Sequence, residues 1–151
     1  MRFILVLPLA ALLAVSHPAA AQITLTPVRD LAFGPVIVGL PSYVGPSHPV
    51  KSGQFRLDAP VSSRVQLRLT LPKALDGPAG ATLPIDFANN DALHVGAGSG
   101  SVPETFNPKG TRNLRITDPT TFIFIGGTVS PAGSQQQGQY AGTITLTVNV
   151  F

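Results

Sequence analysis

Tyr140-Ala-Gly-Thr-Ile-Thr-Leu-Thr-Val-Asn-Val-Phe151 is the stretch whose reading decides the fold. Its even positions are Tyr140, Gly142, Ile144, Leu146, Val148 and Val150; its odd positions are Ala141, Thr143, Thr145, Thr147 and Asn149. Successive side chains of a strand point to opposite faces, so this alternation makes one apolar face and one polar face along a single extended segment. Thr, Val and Ile also favour extended backbone. Burial of the aliphatic face is worth ~1.5–3 kcal/mol per residue before the entropy of ordering is subtracted, so loss of the segment is expected to unfold the domain.

The same period recurs upstream, where Val65, Leu67, Leu69 and Leu71 alternate with Gln66, Arg68 and Thr70. Strands apolar on one side only belong to antiparallel sheets packed on a second sheet, whereas parallel sheets of α/β enzymes are apolar throughout. Further strands are predicted at residues 31–38, broken by the Gly34-Pro35 pair, and at 54–57, 83–87, 114–116 and 122–125. Fifteen Gly and fifteen Pro punctuate the chain and leave little room for helices; only a turn at residues 73–75 reads as helical. Residues 41–53, 92–108 and 130–138 read as surface connections. Short strands at this spacing predict an all-β sandwich or barrel.

At the N-terminus, Arg2 precedes an apolar run over residues 3–15, and Ala19, Ala20 and Ala21 follow. That pattern predicts a removable export signal at residues 1–21 with cleavage before Gln22. The run is too short to cross a bilayer, which needs about 20 residues, so no membrane span is expected after removal. The exported chain is expected in the periplasm, at the cell surface or outside the cell. Roughly 130 residues then remain, a size that suits one domain. They divide into a short arm at 22–29 and a sandwich domain at 30–151.

The chain contains no Cys, which excludes disulfide staples and thiolate metal sites. Ten Lys and Arg stand against seven Asp and Glu. The basic residues form no run; Arg56, Arg64, Arg68, Arg112 and Arg115 are spaced singly along strands, so no nucleic-acid partner is expected.

Catalysis is not expected either. His48 lies in a Pro-rich loop, and His94 follows Asp91 closely enough to share a turn, with Asp91 read as structural. Gly96-Ala-Gly-Ser-Gly100 lacks the Lys and following helix of a phosphate loop and reads as flexible. The carboxylates mostly abut Pro, Gly or Asn, as turn residues do, and no cofactor or metal is expected.

Gly138-Gln-Tyr140-Ala-Gly142 before the terminal alternation, together with Phe124-Ile-Gly-Gly-Thr-Val129 and Leu31-Ala-Phe-Gly34, resembles a family of bacterial secreted domains. That family is related to the spore-coat-protein-U and Csu-type chaperone-usher pilin subunits. The resemblance implies an immunoglobulin-like antiparallel β-sandwich that is incomplete, lacking its last strand, with the slot filled first by a periplasmic chaperone and then by a neighbouring subunit of the same type. Gly138 falls at the family's glycine position. Phe151 is terminal and Val150 penultimate, one place off the family's aromatic, and a shift of one residue reverses the face.

On this reading the protein is a pilin-like or surface-coat subunit that assembles by β-strand complementation. Gly138, Tyr140, Ile144, Leu146, Val148, Val150 and Phe151 would form the strand offered to a partner, and Ile23 and Leu25 would be the plugs of a donor arm. The alternative is a self-complete secreted binding module that acts as a monomer through its loops at 41–53 and 92–108.

Overall fold

The computed structural model describes residues 22–151; the expected export signal at 1–21 lies outside the described residues. Among the described residues twelve strands make up nearly all the regular structure. They are β1 (Thr24–Arg29), β2 (Ser42–Val44), β3 (Gly53–Asp58), β4 (Arg64–Thr70), β5 (Ala74–Asp76), β6 (Thr82–Asp86), β7 (Ala92–Gly96), β8 (Glu104–Phe106), β9 (Thr111–Arg115), β10 (Thr120–Ile125), β11 (Gly127–Val129) and β12 (Thr145–Val150). A 3-10 turn spans Pro78–Gly80. No helix among the described residues is long and apolar enough to cross a membrane.

Every ladder is antiparallel. One sheet runs in the order β1-β3-β10-β7-β8, a second β2-β11-β6-β5, and a third β12-β4-β9. Two of the chain's crossings between them are especially short. β4 continues into β5 past Pro72, linking the two smaller sheets, and β10 turns into β11 at Gly126, carrying the chain out of the large sheet. A Cβ at Gly126 would fall 2.2 Å from the Val44 carbonyl oxygen, so only glycine permits this corner.

The inward faces interdigitate as an all-β sandwich. Leu57, Ile123, Ile125 and Ala92 from the large sheet meet Val65, Leu67, Leu114 and Leu146 from the three-stranded sheet and Leu83, Ile85 and Val129 from the four-stranded one. The β4 alternation carries through: Val65, Leu67 and Leu69 are buried while Arg64, Arg68 and Thr70 are exposed. One carboxylate, Asp91, is also buried, and it accepts hydrogen bonds from the Ala88 N–H at 2.7 Å and the Tyr43 hydroxyl at 3.2 Å. It is therefore a structural turn residue whose buried oxygens are satisfied.

Several local expectations are corrected. Residues 31–38 form no strand, because Gly34 sits at φ +71° ahead of Pro35 and no neighbour offers a ladder. The expected helical turn at 73–75 is instead strand, since Ala74, Leu75 and Asp76 pair with Pro84, Leu83 and Thr82 of β6. The expected connection at 92–108 contains β7 and β8, and that at 41–53 contains β2. The terminal segment joins its ladder only from Thr145 onward, not from Tyr140.

Candidate functional site

The edge of the sandwich where β1 and β12 lie is open. One lip is the segment at 30–38 that follows β1. Its backbone is held at two points: the Ala32 N–H donates to the Lys51 carbonyl at 2.9 Å, and the Gly39 N–H donates to the Pro131 carbonyl at 3.2 Å. Between them, no N–H from Phe33 through Val38 finds a backbone acceptor among the described residues. Its root is seated by Gly53, where a Cβ would fall 2.7 Å from Ile125 Cγ2 and 3.3 Å from the Leu31 nitrogen. Arg29 fixes the end of β1 just before it, donating from Nε to the Ser52 carbonyl at 2.7 Å, from Nη1 to the Pro49 carbonyl at 2.6 Å and from Nη2 to Ser52 Oγ at 2.9 Å.

The other lip is the segment at 135–144 that precedes β12. Asp76 and Ala141 exchange backbone hydrogen bonds of 2.7 and 2.9 Å, and around that bridge the two chains interlock. A Cβ at Gly77 would fall 2.3 Å from the Tyr140 ring, one at Gly138 would fall 2.5 Å from Pro78, and one at Gly142 would fall 2.8 Å from Leu75. Gly138 also has φ +152°, outside the range that side-chain-bearing residues readily adopt. The Tyr140 hydroxyl accepts from Gln135 Nε2 at 2.6 Å and donates to the Gln136 carbonyl at 2.7 Å. Pro72 explains why this lip stays out of the ladder. Thr145 pairs with Thr70 but Ala141 pairs with Asp76, so the β4–β5 side carries two more residues than its partner over this interval, around a residue with no N–H to give.

Between the lips lies a groove of about 1070 Å³. Its floor is the sandwich core itself: Phe55, Leu75, Leu83, Ile85, Ile125 and Ile144 line it. Small-molecule pockets are usually about 300–1,000 Å³, so this groove is at the size of a short peptide. The arrangement offers what an extended apolar segment needs, a floor whose Phe55, Leu75 and Ile144 are only half-buried and, along 33–38, backbone N–H groups with no backbone acceptor beside it. It assembles no acid–base pair.

The residues singled out in the sequence go to three places. Gly138, Tyr140 and Ile144 line the groove. Leu146 is buried in the core and Val148 half-buried against it, while Val150 and Phe151 are 65 % and 63 % exposed at the far end of β12. Ile23 and Leu25 pack on the chain's own core, because the arm that holds them pairs with β3 as β1. The whole lip at 30–38 was missed as groove wall, its apolar-x-Phe-Gly pattern reading as a strand. Its Gly34-Pro35 break was the available signal.

The opposite edge is clasped. His94 on β7, Glu104 on β8 and Arg112 on β9 bind the large sheet to the three-stranded one: Arg112 Nη2 bonds Glu104 Oε1 and lies 3.3 Å from His94 Nε2. Burial first, and then the Arg112 charge, lower the His94 pKa, while Glu104 opposes them. The imidazole is accordingly neutral at neutral pH, with Nε2 accepting from Arg112, and its 3.5 Å approach to Glu104 is not an ion pair there. His48 is equally structural, its Nδ1 accepting from the Val50 and Lys51 N–H groups at 3.3 and 3.1 Å. The glycine loop after β7 is wrapped round a carboxylate: Cβ atoms at Gly96 and Gly98 would fall 1.8 and 2.2 Å from Asp118, which accepts from Ser101 Oγ at 2.6 Å.

Fold and groove together define the class, an all-β sandwich of antiparallel sheets with an apolar-floored groove along one edge. No protein-family model matches the chain, and no curated protein sequence matches it.

Proposed function

We propose that the chain is an exported structural or assembly protein, a pilin-like or surface-coat subunit, and that the groove between segments 30–38 and 135–144 accepts a β-strand from another chain. The observation that carries this is the coincidence of one lip without backbone pairing at 33–38, and a second held by the single bridge at Ala141, with an apolar floor that adjoins the core. A foreign strand laid there satisfies backbone and side chains together, which is the general mode of strand addition. The resemblance of the terminal motif to secreted pilin subunits supports the same reading, with a periplasmic chaperone and neighbouring copies as partners and no catalytic role.

The donor arm is the point at which a second reading is favoured by a specific observation. Residues 24–29 already pair with β3, and Arg29 ties their end down with three hydrogen bonds. If that pairing persists, the protein is a self-complete secreted module acting as a monomer. If it exchanges, Ile23 and Leu25 of one copy enter the groove of the next. Because the chain lacks Cys, the two readings separate cleanly by introduced thiols. A variant carrying both Ile23→Cys and Val36→Cys is expected to give a ladder of disulfide-linked multimers under mild oxidation, together with detergent-resistant multimers of the parent protein. A cooperatively folding monomer at high concentration, with no ladder, would establish the second reading instead.

A further inference from the structure

The outer face of the three-stranded sheet carries charges that the groove does not use. Arg64 on β4 stands directly opposite Arg115 on β9, and Arg68 lies on the same face of β4. All three are exposed. Cross-strand partners have Cβ atoms about 4.5–5.5 Å apart, and like charges so placed are destabilising. Arg68 follows Arg64 by ~14 Å along the strand.

Nothing on that face neutralises them. Its remaining ladder positions are Thr, Asn and Gln, with Gln66 donating to Asn113 at 3.2 Å, and Phe151, whose N–H donates to the Arg64 carbonyl at 3.2 Å, continues β12 opposite Arg64. Arg56 is paired with Asp58, Lys109 with Asp86 and Arg112 with Glu104, whereas none of these three arginines has an acid side chain within ion-pair distance among the described residues. Single spacing in the sequence hides the cluster, because only the β4–β9 register brings Arg64 and Arg115 side by side.

We infer that this face is a docking surface for an anionic polysaccharide, a polymer of carboxylated sugars. Carboxylates supply the charge the face lacks and match the planar guanidinium fork. The surrounding hydroxyl and amide side chains are partners for sugar hydroxyls. The exposed Phe151, which follows β12 in register opposite Arg64, lies at the end of the sheet rather than at the centre where a protein–protein interface is anchored, and a single ring serves the apolar face of a sugar but not the successive bases of a nucleic acid. Its three cations also fall short of the roughly four to eight that a membrane-directed basic cluster uses. This inference does not depend on the groove.

The test uses the purified protein with polygalacturonate as probe, beside neutral dextran, duplex DNA and phosphatidylglycerol vesicles. Binding to polygalacturonate is expected at low salt, weakening as salt screens the charges, with none to dextran. The variant Arg64→Gln/Arg68→Gln/Arg115→Gln is expected to bind roughly tenfold or more weakly, while Lys51→Gln/Arg56→Gln/Lys73→Gln, which removes the same charge elsewhere, stays within about twofold. Should the first triple variant fail to fold, Arg115→Gln alone is titrated, with a loss of about threefold or more expected. No binding at low salt, equal losses from the two triple variants, an undiminished Arg115→Gln, or tighter binding to DNA or vesicles than to polygalacturonate would each overturn the inference.

Discussion

Glycine has two different meanings in this chain, and substitution separates them. Gly138 lies at φ +152° with Pro78 in the space a Cβ would take, whereas Gly133 has ordinary φ and nothing within 4 Å. Gly138→Ala is therefore expected to cost ~1–3 kcal/mol, and Gly133→Ala to be neutral or stabilising by up to about 1 kcal/mol, in denaturant unfolding. Equal effects would mean that neither Pro78 nor the backbone angle restricts the residue at 138. His94 makes a prediction in pH. Its folded-state pKa lies below the ordinary 6.5, so as pH falls through that value the unfolded chain takes up a proton before the folded one does. The stabilisation is complete above about pH 6.5 and declines as pH drops toward the folded value. Asp58, Asp86 and Glu104 are also lowered, each chiefly by its hydrogen bond to Arg56, Lys109 or Arg112, but as carboxylates their contributions fade only at more acidic pH. Melting temperature is thus expected to fall between pH 7 and pH 5 in the parent protein and to fall less in His94→Gln.

At the level of elements, β12 shows what alternation does and does not reveal. Ile144, Leu146, Val148 and Val150 are equivalent by period, yet their burial runs from half-buried through 6 % exposed at Leu146 to 65 % exposed at Val150. The face of a residue follows from local geometry, but the depth of cover depends on where the opposite sheet ends. Leu146→Ala is expected to cost ~2–4 kcal/mol and Val150→Ala under about 0.5 kcal/mol by denaturant unfolding, and a reversed order would contradict the packing described. The same distinction accounts for the rest of what was legible. β3, β4, β6 and β10 were readable because their apolar runs carry their own periodicity. β5, β7 and β8 were not, because Ala74-Leu75-Asp76, Ala92 to Gly96 and Glu104-Thr105-Phe106 become strands by pairing with distant partners. Of the candidate site, the lip bearing Gly138 and Tyr140 was legible from its glycines, and the lip at 30–38 was misread as a strand.

For the whole molecule, the two edges of the sandwich differ in how firmly they close, and exchange of backbone amides measures that difference. At one edge Arg112 ties β9 to His94 and Glu104 of the large sheet. At the other the core reaches the groove, and the N–H groups of Phe33 through Val38 find no backbone acceptor among the described residues. With no disulfide to limit local opening, protection depends on burial and ladders alone, so amides of β3 and β10 are expected to exchange only through global unfolding and those at 33–38 nearly freely. A strand seated in the groove changes this in a defined place: exchange slows at 33–38 and 136–140 and is unaltered at β8 and β9. It also raises global stability, by about 2.7 kcal/mol at a hundredfold excess over the dissociation constant, because it binds only the folded chain. Hydrogen-exchange mass spectrometry of the protein with and without an excess of a peptide matching residues 22–29 reads both effects. Slowing confined to β8 and β9, or a rise in stability with no change at the lips, would place the partner's strand somewhere other than the groove.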